Sequence, residues 1–408
     1  MANVSSSNGL EKRPKLRFPG FDEPWKVFKA EELFQNVTDK NHPDETVLTI
    51  IQGKGTLPRE QAGRNIHYDD ASLSNYKKVE QGDFIIHLRS FEGGLEMANE
   101  AGIVSPAYTI LRCKRPHSSL FYDAYFHTDE FINHNLSKSV EGIRDGRQIS
   151  YEAFKWLGIP YCEPTEQEKI SNLFAALNER IAKQRDLVES LKKYKRGLLR
   201  AYFVTDNWKS QGTWSKCKLG ACCSKIGSGK TPKGGSSVYA NQGIMFLRSQ
   251  NVLWGTLDIS EVSFIDEATN STMQSSEVRF GDVLLNITGA SIGRSCIYTS
   301  NDRANVNQHV CIIRLSQESK ERLLPEFLLQ QILSDRIQQQ VMDCQNGGSR
   351  EGLNFQQIAD FNIVIPEMEE QRKICGMLKA FDKKLCNEEI SLKALFSLRT
   401  SLMQQLFI

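Results

Sequence analysis

The chain has 408 residues, of which 40% are hydrophobic and 25% are charged, and its formal net charge at pH 7 is +2. This length predicts two or three domains, and the apolar content excludes a generally disordered chain. No run of about 20 apolar residues is present, which excludes a transmembrane helix. The near-zero net charge argues against a uniformly basic nucleic-acid coat, although it can hide a local basic face.

The N-terminal segment is polar and rich in Ser and Asn. It predicts a flexible tail over residues 1–17 and not a secretory signal, because it has no apolar core. The 10 cysteines include no Cys-x-x-Cys pair. Reduced thiols in a cytoplasmic protein are therefore expected in preference to a disulfide framework or a zinc site.

Residues 18–164 are predicted to form a first mixed domain. Its β-type runs at 47–51, 84–88 and 108–111 precede a helical run at 120–135. A central helix is then predicted over 165–206.

Apolar residues in this helix recur every three or four positions from Ile170 to Tyr202, which is close to a heptad seam. A second mixed domain is predicted over 207–366, with β-type runs at 244–247, 283–287 and 310–315 and a helical run at 325–341. The last helix is predicted over 367–408.

The two halves of the chain repeat one another. The run Glu166-Gln167-Glu168-Lys169-Ile170 returns 204 residues later as Glu370-Gln371-Arg372-Lys373-Ile374. Three further echoes keep the same order along the chain: Gly82-Asp83 with Gly281-Asp282, Ile159-Pro160 with Ile365-Pro366, and Trp25 with Trp214. Such collinear agreement predicts an internal duplication.

The duplication predicts an α+β fold in which two similar mixed domains are separated by two long antiparallel helices forming a coiled-coil spacer. A helix of about 39 residues is roughly 58 Å long, and one with a single apolar seam needs a partner. The other copy of the same helix is the natural partner. Alternatively, each helix packs on its own domain as an ordinary core element.

A basic stretch in the second half is the main indication of nucleic-acid binding. Residues 207–257 contain seven Lys or Arg and no Asp or Glu. Lys and Arg neutralise phosphates, and Arg, Gln and Asn can pair with base edges. Composition alone favours DNA contact and a solvated surface loop equally. The candidate DNA-binding residues here are Lys225, Lys230, Lys233, Arg248, Gln250 and Asn251.

The candidates in the first half are weaker. They are Lys54, Arg59 and Arg64 in a Gly-containing loop, and Arg112 near the end of a strand. Two further candidates, Arg144 and Arg350, lie in matching Gly-x-Arg turns. The arginines of these turns either contact DNA or bond backbone carbonyls.

The sequence carries no convincing catalytic motif. Gly227-Ser-Gly229-Lys230-Thr231 lacks the first glycine of a P-loop and is followed by Pro232. The seven histidines show no metal-ligand spacing. These features favour a recognition or scaffolding role without catalytic residues, bound cofactor or bound metal.

The repeated layout, the two Ile-Pro…Glu-Gln-x-Lys-Ile helix entries and the two Gly-x-Arg-Asp/Glu-Gly turns resemble the DNA specificity subunits of type I restriction-modification systems. The resemblance covers residues from about 18 to the C-terminus. It implies that each mixed domain is a target recognition domain reading one half of a split, asymmetric site in double-stranded DNA. The helix pair would set the gap between the half-sites.

The resemblance also implies partners. Two methyltransferase subunits would dock on the chain, endonuclease/translocase subunits would join them, and S-adenosylmethionine, ATP and Mg²⁺ would belong to those partners. The chain would then be a non-catalytic, cytoplasmic subunit of a restriction endonuclease and adenine-N6 methyltransferase complex. Two other interpretations stay open: a coiled-coil adaptor with protein-binding domains, and a fused nuclease or methyltransferase.

Overall fold

A computed structural model describes residues 11–62, 70–142, 148–203, 214–346 and 352–407. Its contacts divide the chain into two units. Unit 1 is Met1–Arg185 with Ile390–Ile408, and unit 2 is Asp186–Glu389. Both long helices therefore contribute to both units. No helix in the described part of the chain is long and apolar enough to cross a membrane.

The strands of unit 1 are short. They are β1 (Glu11–Lys12), β2 (Trp25–Lys29), β3 (Phe34–Val37), β4 (Leu48–Ile51), β5 (Gly55–Pro58), β6 (Lys77–Val79), β7 (Phe84–Ile86), β8 (Glu96–Met97), β9 (Gly102–Val104), β10 (Thr109–Cys113), β11 (Val140–Glu141), β12 (Gln148–Ile149) and β13 (Gly158–Tyr161). The helices of the first half are α1 (Ala30–Leu33), α2 (Ser90–Gly93), α3 (Ser119–Phe126), α4 (Tyr151–Phe154) and the long α5 (Pro164–Phe203).

Unit 2 also consists of short strands and helices. Its strands are β14 (Ser215–Lys218), β15 (Cys223–Ser228), β16 (Ile244–Leu247), β17 (Ser263–Ile265), β18 (Glu277–Val278), β19 (Val283–Asn286), β20 (Ser295–Ile297), β21 (Ala304–Val306), β22 (Val310–Leu315) and β23 (Asn362–Ile365). The helices are α6 (Glu267–Ser271), α7 (Gln317–Lys320), α8 (Pro325–Ile332), α9 (Asp335–Asn346), α10 (Phe355–Ala359) and the long α11 (Met368–Phe407).

The duplication extends to the strand order. Unit 1 contains a sheet ordered β3-β10-β7-β8, and unit 2 contains a sheet ordered β15-β22-β19-β20. All neighbours in both sheets are antiparallel. A second pairing is also repeated, since β2 pairs with β13 as β14 pairs with β23.

The long helices pair antiparallel within each unit. In unit 1 the Phe174 ring lies 6.1 Å from the Phe407 ring, and further along α5, Asn178 accepts a 2.9 Å hydrogen bond from Arg399. In unit 2, Lys192 pairs with Glu389 at 3.1 Å, and Lys195 pairs with the earlier residue Asp382 at 2.5 Å. The predicted α+β fold with two similar mixed domains and two long antiparallel helices is confirmed.

The Glu-Gln pair at the start of each long helix explains the repeated sequence motif. The Trp25 indole donates to Glu166 Oε2 at 2.9 Å, and the Trp214 indole donates to Glu370 Oε2 at 2.8 Å. Each glutamine is completely buried. Its amide joins the end of the preceding strand to the segment that starts a helix.

The partners of the two glutamines correspond. Gln167 donates to Cys162 O at 2.8 Å and accepts from the Ser118 amide, just before α3, at 3.0 Å. Gln371 donates to Pro366 O at 2.8 Å and accepts from the Leu324 amide, just before α8, at 2.9 Å. The motif is therefore a structural joint between the last strand of each mixed domain and the long helix that follows it.

The distal end of each long helix enters a hydrophobic core. Leu406 and Phe407 of α11 lie in the core of unit 1 with Trp25 and Phe121. Phe203 of α5 lies in the core of unit 2 with Phe327. Because each mixed domain packs on the start of one helix and the end of the other, neither helix stands alone in water.

Replacing Glu166 with Gln should destabilise the protein by about 3 kcal/mol, because the buried carboxylate also holds Arg17 through two hydrogen bonds of 2.8 and 2.9 Å. The matched variant Glu370→Gln should cost about 1 kcal/mol, since this half-buried carboxylate holds the Trp214 indole. Chemical and thermal unfolding measure both. Equal losses would contradict this account of Glu166.

Candidate nucleic-acid interface

Several polar loops of unit 2 lie together at one end of the strands in the β15-β22-β19-β20 sheet. Ser228 pairs with Cys311 near the start of β22, and Asn286 pairs with Val310. Leu285 pairs with Ser295, the first residue of β20. The segments 229–243, 287–294 and 307–309 therefore lie at the same end of the strands. We call these segments, together with the turn 248–257, the unit 2 rim.

The turn 248–257 joins the rim through three hydrogen bonds. Buried Asn286 donates to Ser249 O at 2.8 Å and to Val252 O at 3.3 Å. The Gly255 amide donates to Ser295 O at 2.9 Å. This turn is consequently fixed beside the ends of β19 and β20.

The charges of the sheet are segregated between its two ends. The rim segments contain no Asp or Glu and carry four cations, Lys230, Lys233, Arg248 and Arg294. At the opposite end of the sheet, Asp282 is buried and holds Arg314 through two hydrogen bonds of 2.7 and 2.6 Å. Segments that carry cations and no acidic side chain attract a phosphate backbone.

The predicted basic loop is placed in part on this rim. Lys230 and Lys233 are exposed. Gly229 anchors the loop, because a Cβ atom there would come within 1.6 Å of Val306 O. Lys225 lies inside β15, where its ammonium donates to Ser275 O, and burial, followed by the nearby Arg314, lowers its pKa. Its ammonium bonds within the fold and does not extend from the rim.

Arg248, Gln250 and Asn251 occupy one turn of the rim but differ in exposure. Gln250 is exposed, whereas Arg248 is half-buried with its guanidinium 5.6 Å from the Tyr239 ring. Asn251 is only 3% exposed. It accepts from the Arg248 amide at 2.9 Å and donates to Asp258 O at 2.9 Å. Asn251 therefore stabilises the turn, which corrects its assignment as a base-contacting residue.

Sequence analysis missed the residues that lie at the centre of this rim. Thr231 donates to the side-chain oxygen of exposed Gln308, and Gln308 Nε2 lies 3.2 Å from His309 Nε2. His309 Nδ1 lies 2.5 Å from Thr288 Oγ1. The absence of acidic residues between Ala304 and Val310 was the available signal, but the stretch contains no Lys or Arg to draw attention.

Gly352, the last residue of the Gly-x-Arg-Glu-Gly motif of the second half, lies at the same rim. Thr288 forms a β-bridge with Gly352, and the Leu353 amide donates to Ile287 O at 2.9 Å. Arg350 itself lies outside the described residues, as do Arg144 and Arg64 of the first half.

The corresponding edge of unit 1 carries the loop with Lys54. Glu96, the first residue of β8, is completely buried. It accepts hydrogen bonds from the Gly53 and Gly55 amides at 2.6 and 2.9 Å. These bonds fix the tip of the β4–β5 hairpin, where Lys54 is exposed.

The two remaining candidates of unit 1 have other surroundings. The Arg59 guanidinium lies 5.9 Å from the Tyr76 ring. Arg112 donates to both oxygens of buried Asp83, at 2.9 and 2.7 Å, as Arg314 does with Asp282 in unit 2. This ion pair lies at the end of the sheet opposite the Lys54 hairpin, which corrects the assignment of Arg112 as a DNA contact.

His127 contacts the Glu96 carboxylate that holds the Lys54 hairpin. His127 Nε2 lies 3.3 Å from Glu96 Oε1, and its Nδ1 lies 2.7 Å from Asp123 O. Burial disfavours the charged forms of Glu96 and His127. Their mutual hydrogen bond stabilises both charged forms, the Gly53 and Gly55 amides also stabilise the Glu96 carboxylate, and together these contacts outweigh the effect of burial. The pKa of Glu96 is therefore lowered and the pKa of His127 is raised. Burial lowers the pKa of neighbouring His87 and raises that of Asp123.

The described residues offer no group of three His, Cys, Asp or Glu side chains placed to hold a metal ion. What the two edges present instead is exposed cations and amides on fixed turns. Chemically, such groups bind phosphates and hydrogen-bond to base edges.

Comparisons with known proteins agree with this geometry. Residues 212–394 match the family described as type I restriction modification DNA specificity domain. The chain is 20% identical over 389 residues to the type I restriction enzyme MjaVIII specificity subunit of Methanocaldococcus jannaschii, covering 90% of this chain and 87% of that protein.

Two solved structures share the fold. The S subunit of the type I restriction-modification system from M. genitalium has a TM-score of 0.58 and 15% identity, over 97% of this chain and 99% of that one. A chain from a study of complex assembly and conformational transition of the type I R-M system has a TM-score of 0.59 and 16% identity, over 95% of this chain and 98% of that one.

Replacing His127 with Gln should lower the Tm most at low pH. A raised pKa in the folded state means that protonated His127 stabilises unit 1 fully below about pH 6.5 and loses this effect as pH rises through its folded pKa. We expect a loss of about 2 kcal/mol near pH 6, shrinking toward pH 9. Thermal unfolding of both proteins between pH 6 and 9 checks this. A difference that grows with pH would contradict the assignment.

Proposed function

We propose that the chain is a type I restriction-modification specificity subunit, as the family match of residues 212–394 indicates, and that each unit reads one half of a bipartite, asymmetric site in double-stranded DNA. The paired helices α5 and α11 set the gap between the half-sites and dock two methyltransferase subunits. The single observation that best supports this proposal is the acid-free rim of unit 2, on a sheet whose topology recurs in unit 1.

The chemistry of the rim fits the proposed division of labour. Exposed Lys230 and Lys233 neutralise phosphates and position the unit on the duplex, whereas the amide of Gln250 on its fixed turn reaches base edges. In unit 1, Lys54 on the fixed hairpin takes the phosphate role. Arg350, Arg144 and Arg64 remain candidates from sequence alone.

The helices fit the role of a spacer. Each spans 40 residues, which is about 60 Å at 1.5 Å per residue. Their antiparallel ion pairs and buried ends fix the register of the pair within each unit. A fixed register between two reading elements sets the spacing of half-sites, as dimer geometry does in other DNA-binding proteins.

The chain takes no part in bond making or breaking in this proposal. Methyl transfer and DNA cleavage belong to methyltransferase and endonuclease/translocase subunits, which bind S-adenosylmethionine, ATP and Mg²⁺. The complex acts in the cytoplasm, where the DNA is accessible. An adaptor with protein-binding domains would need the helices, but it would have no need of an acid-free cationic rim.

Methylome sequencing of a host that carries this chain with its methyltransferase partner tests the function directly. Deleting this chain alone should abolish methylation of one split motif, because the methyltransferase would lose its target recognition. Unchanged methylation, in a system shown to express both subunits, would favour the adaptor. Steep weakening of DNA binding between 50 and 200 mM salt is expected for phosphate contacts and would not occur for a protein-binding adaptor.

Insertion of one heptad into both long helices tests the spacer. The insertions lie between Ala182 and Leu187 in α5 and between Cys386 and Leu392 in α11. The tolerated gap between half-sites should lengthen, since seven residues add about 10 Å of helix, and both half-sequences should stay the same. Methylome sequencing reads both properties. Altered half-sequences with an unaltered gap would show that the helices are not the spacer.

A further inference from the structure

Gln308 occupies a firmly held turn of the unit 2 rim. The turn joins the buried strands β21 and β22. Its backbone is held by the Asn307 amide donating to Leu247 O and by the Gly229 amide donating to Asn307 O, both at 3.1 Å. The Asn307 side chain accepts from the His309 amide at 3.1 Å. Two other segments and one bond within the turn therefore fix the position from which Gln308 projects.

The side chain of Gln308 is oriented as well as exposed. Thr231 donates to its Oε1. Its Nε2 then donates to His309 Nε2 at 3.2 Å. For this His309 nitrogen to accept, the ring carries its proton on Nδ1 and donates to Thr288 Oγ1 at 2.5 Å. The four side chains form one directed chain of hydrogen bonds.

This arrangement leaves a particular pair of groups for a ligand. An amide has two acceptor lone pairs on oxygen and two N–H donors on nitrogen. The two internal bonds use one of each, so Gln308 presents one acceptor and one donor to solvent. A glutamine with this pair pairs bidentately with the N6 donor and N7 acceptor of adenine in the major groove. Exposed Lys230 and Lys233, in the loop that contains Thr231, would supply phosphate contacts nearby.

We propose that Gln308 is a base-reading residue of unit 2 that recognises an adenine in its half-site. Thr231 and His309 are positioning residues, because each fixes one end of the Gln308 amide and neither needs to touch the base. The inference rests on the proposed function and specifies how one position of the second half-site is read.

The test uses this chain in complex with its methyltransferase partner and compares methylomes. Gln308→Ala should relax one adenine position of the second half-site, raising methylation of sites with another base there by about tenfold or more. The first half-site should stay unchanged. Gln317 supplies the matched control, because it is an exposed glutamine just beyond the opposite end of β22. Gln317→Ala should leave the whole motif unchanged.

The positioning role has its own variants. Thr231→Val removes the hydroxyl that orients the amide and should relax the same position as Gln308→Ala, but less. Thr231→Ser keeps the hydroxyl and should restore discrimination. Unchanged thermal unfolding of the Gln308→Ala and Thr231→Val complexes would separate this effect from a loss of stability.

Three results would overturn the inference. They are that Gln308→Ala keeps the full motif, that it lowers methylation evenly at every site, or that it relaxes a position that is not adenine. Each outcome excludes adenine reading by this residue. A wild-type complex that gives no split motif would instead overturn the proposed function, and the inference with it. The two failures are therefore distinguishable in one experiment.

Discussion

The Glu-Gln pair at the start of each long helix is the joint on which the rest of the structure depends. Its carboxylate holds the tryptophan of the strand that pairs with the last strand of each domain, and its buried amide joins that last strand to the helix after it. A buried amide with all its bonds inside the protein tolerates little rearrangement, since each lost bond leaves an unpaired polar group. The direction of each long helix is thus set by its own domain.

The two ends of the β3-β10-β7-β8 and β15-β22-β19-β20 sheets differ in how far the two units resemble each other. At one end, buried Asp83 and Asp282 hold Arg112 and Arg314 with the same bidentate geometry in both units. At the other end, the loops differ: unit 1 relies on Glu96 beneath a hairpin, and unit 2 relies on side-chain hydrogen bonds between Thr231, Gln308 and His309. In the proposed function, a repeated frame with different rims would allow the two halves of one chain to read different sequences.

The sequence predicted the duplication, both long helices and strands such as β19 and β22, because periodicity and repeated motifs are local signals. It could not predict strand order, which depends on contacts between distant segments. The same limit explains Arg112 and Asn251, whose residue types suit DNA but whose partners, Asp83 and the Asp258 carbonyl, are 29 and seven residues away. Gln308 was not predicted, because the sequence analysis searched for DNA-binding residues by their charge. Its proposed role depends on Thr231 and His309, which only the fold brings into contact with it.

In the proposed function, rigid placement is what would let a polar rim read a DNA sequence. A flexible glutamine accepts almost any base edge and loses side-chain entropy on binding. An amide held at both ends by Thr231 and His309 has already paid that cost and presents its donor and acceptor in one order. Discrimination then arises because a base with the reverse order leaves both groups unpaired in a desolvated interface. Loops of this kind need a fixed sheet edge beneath them, which the joint at each long helix provides.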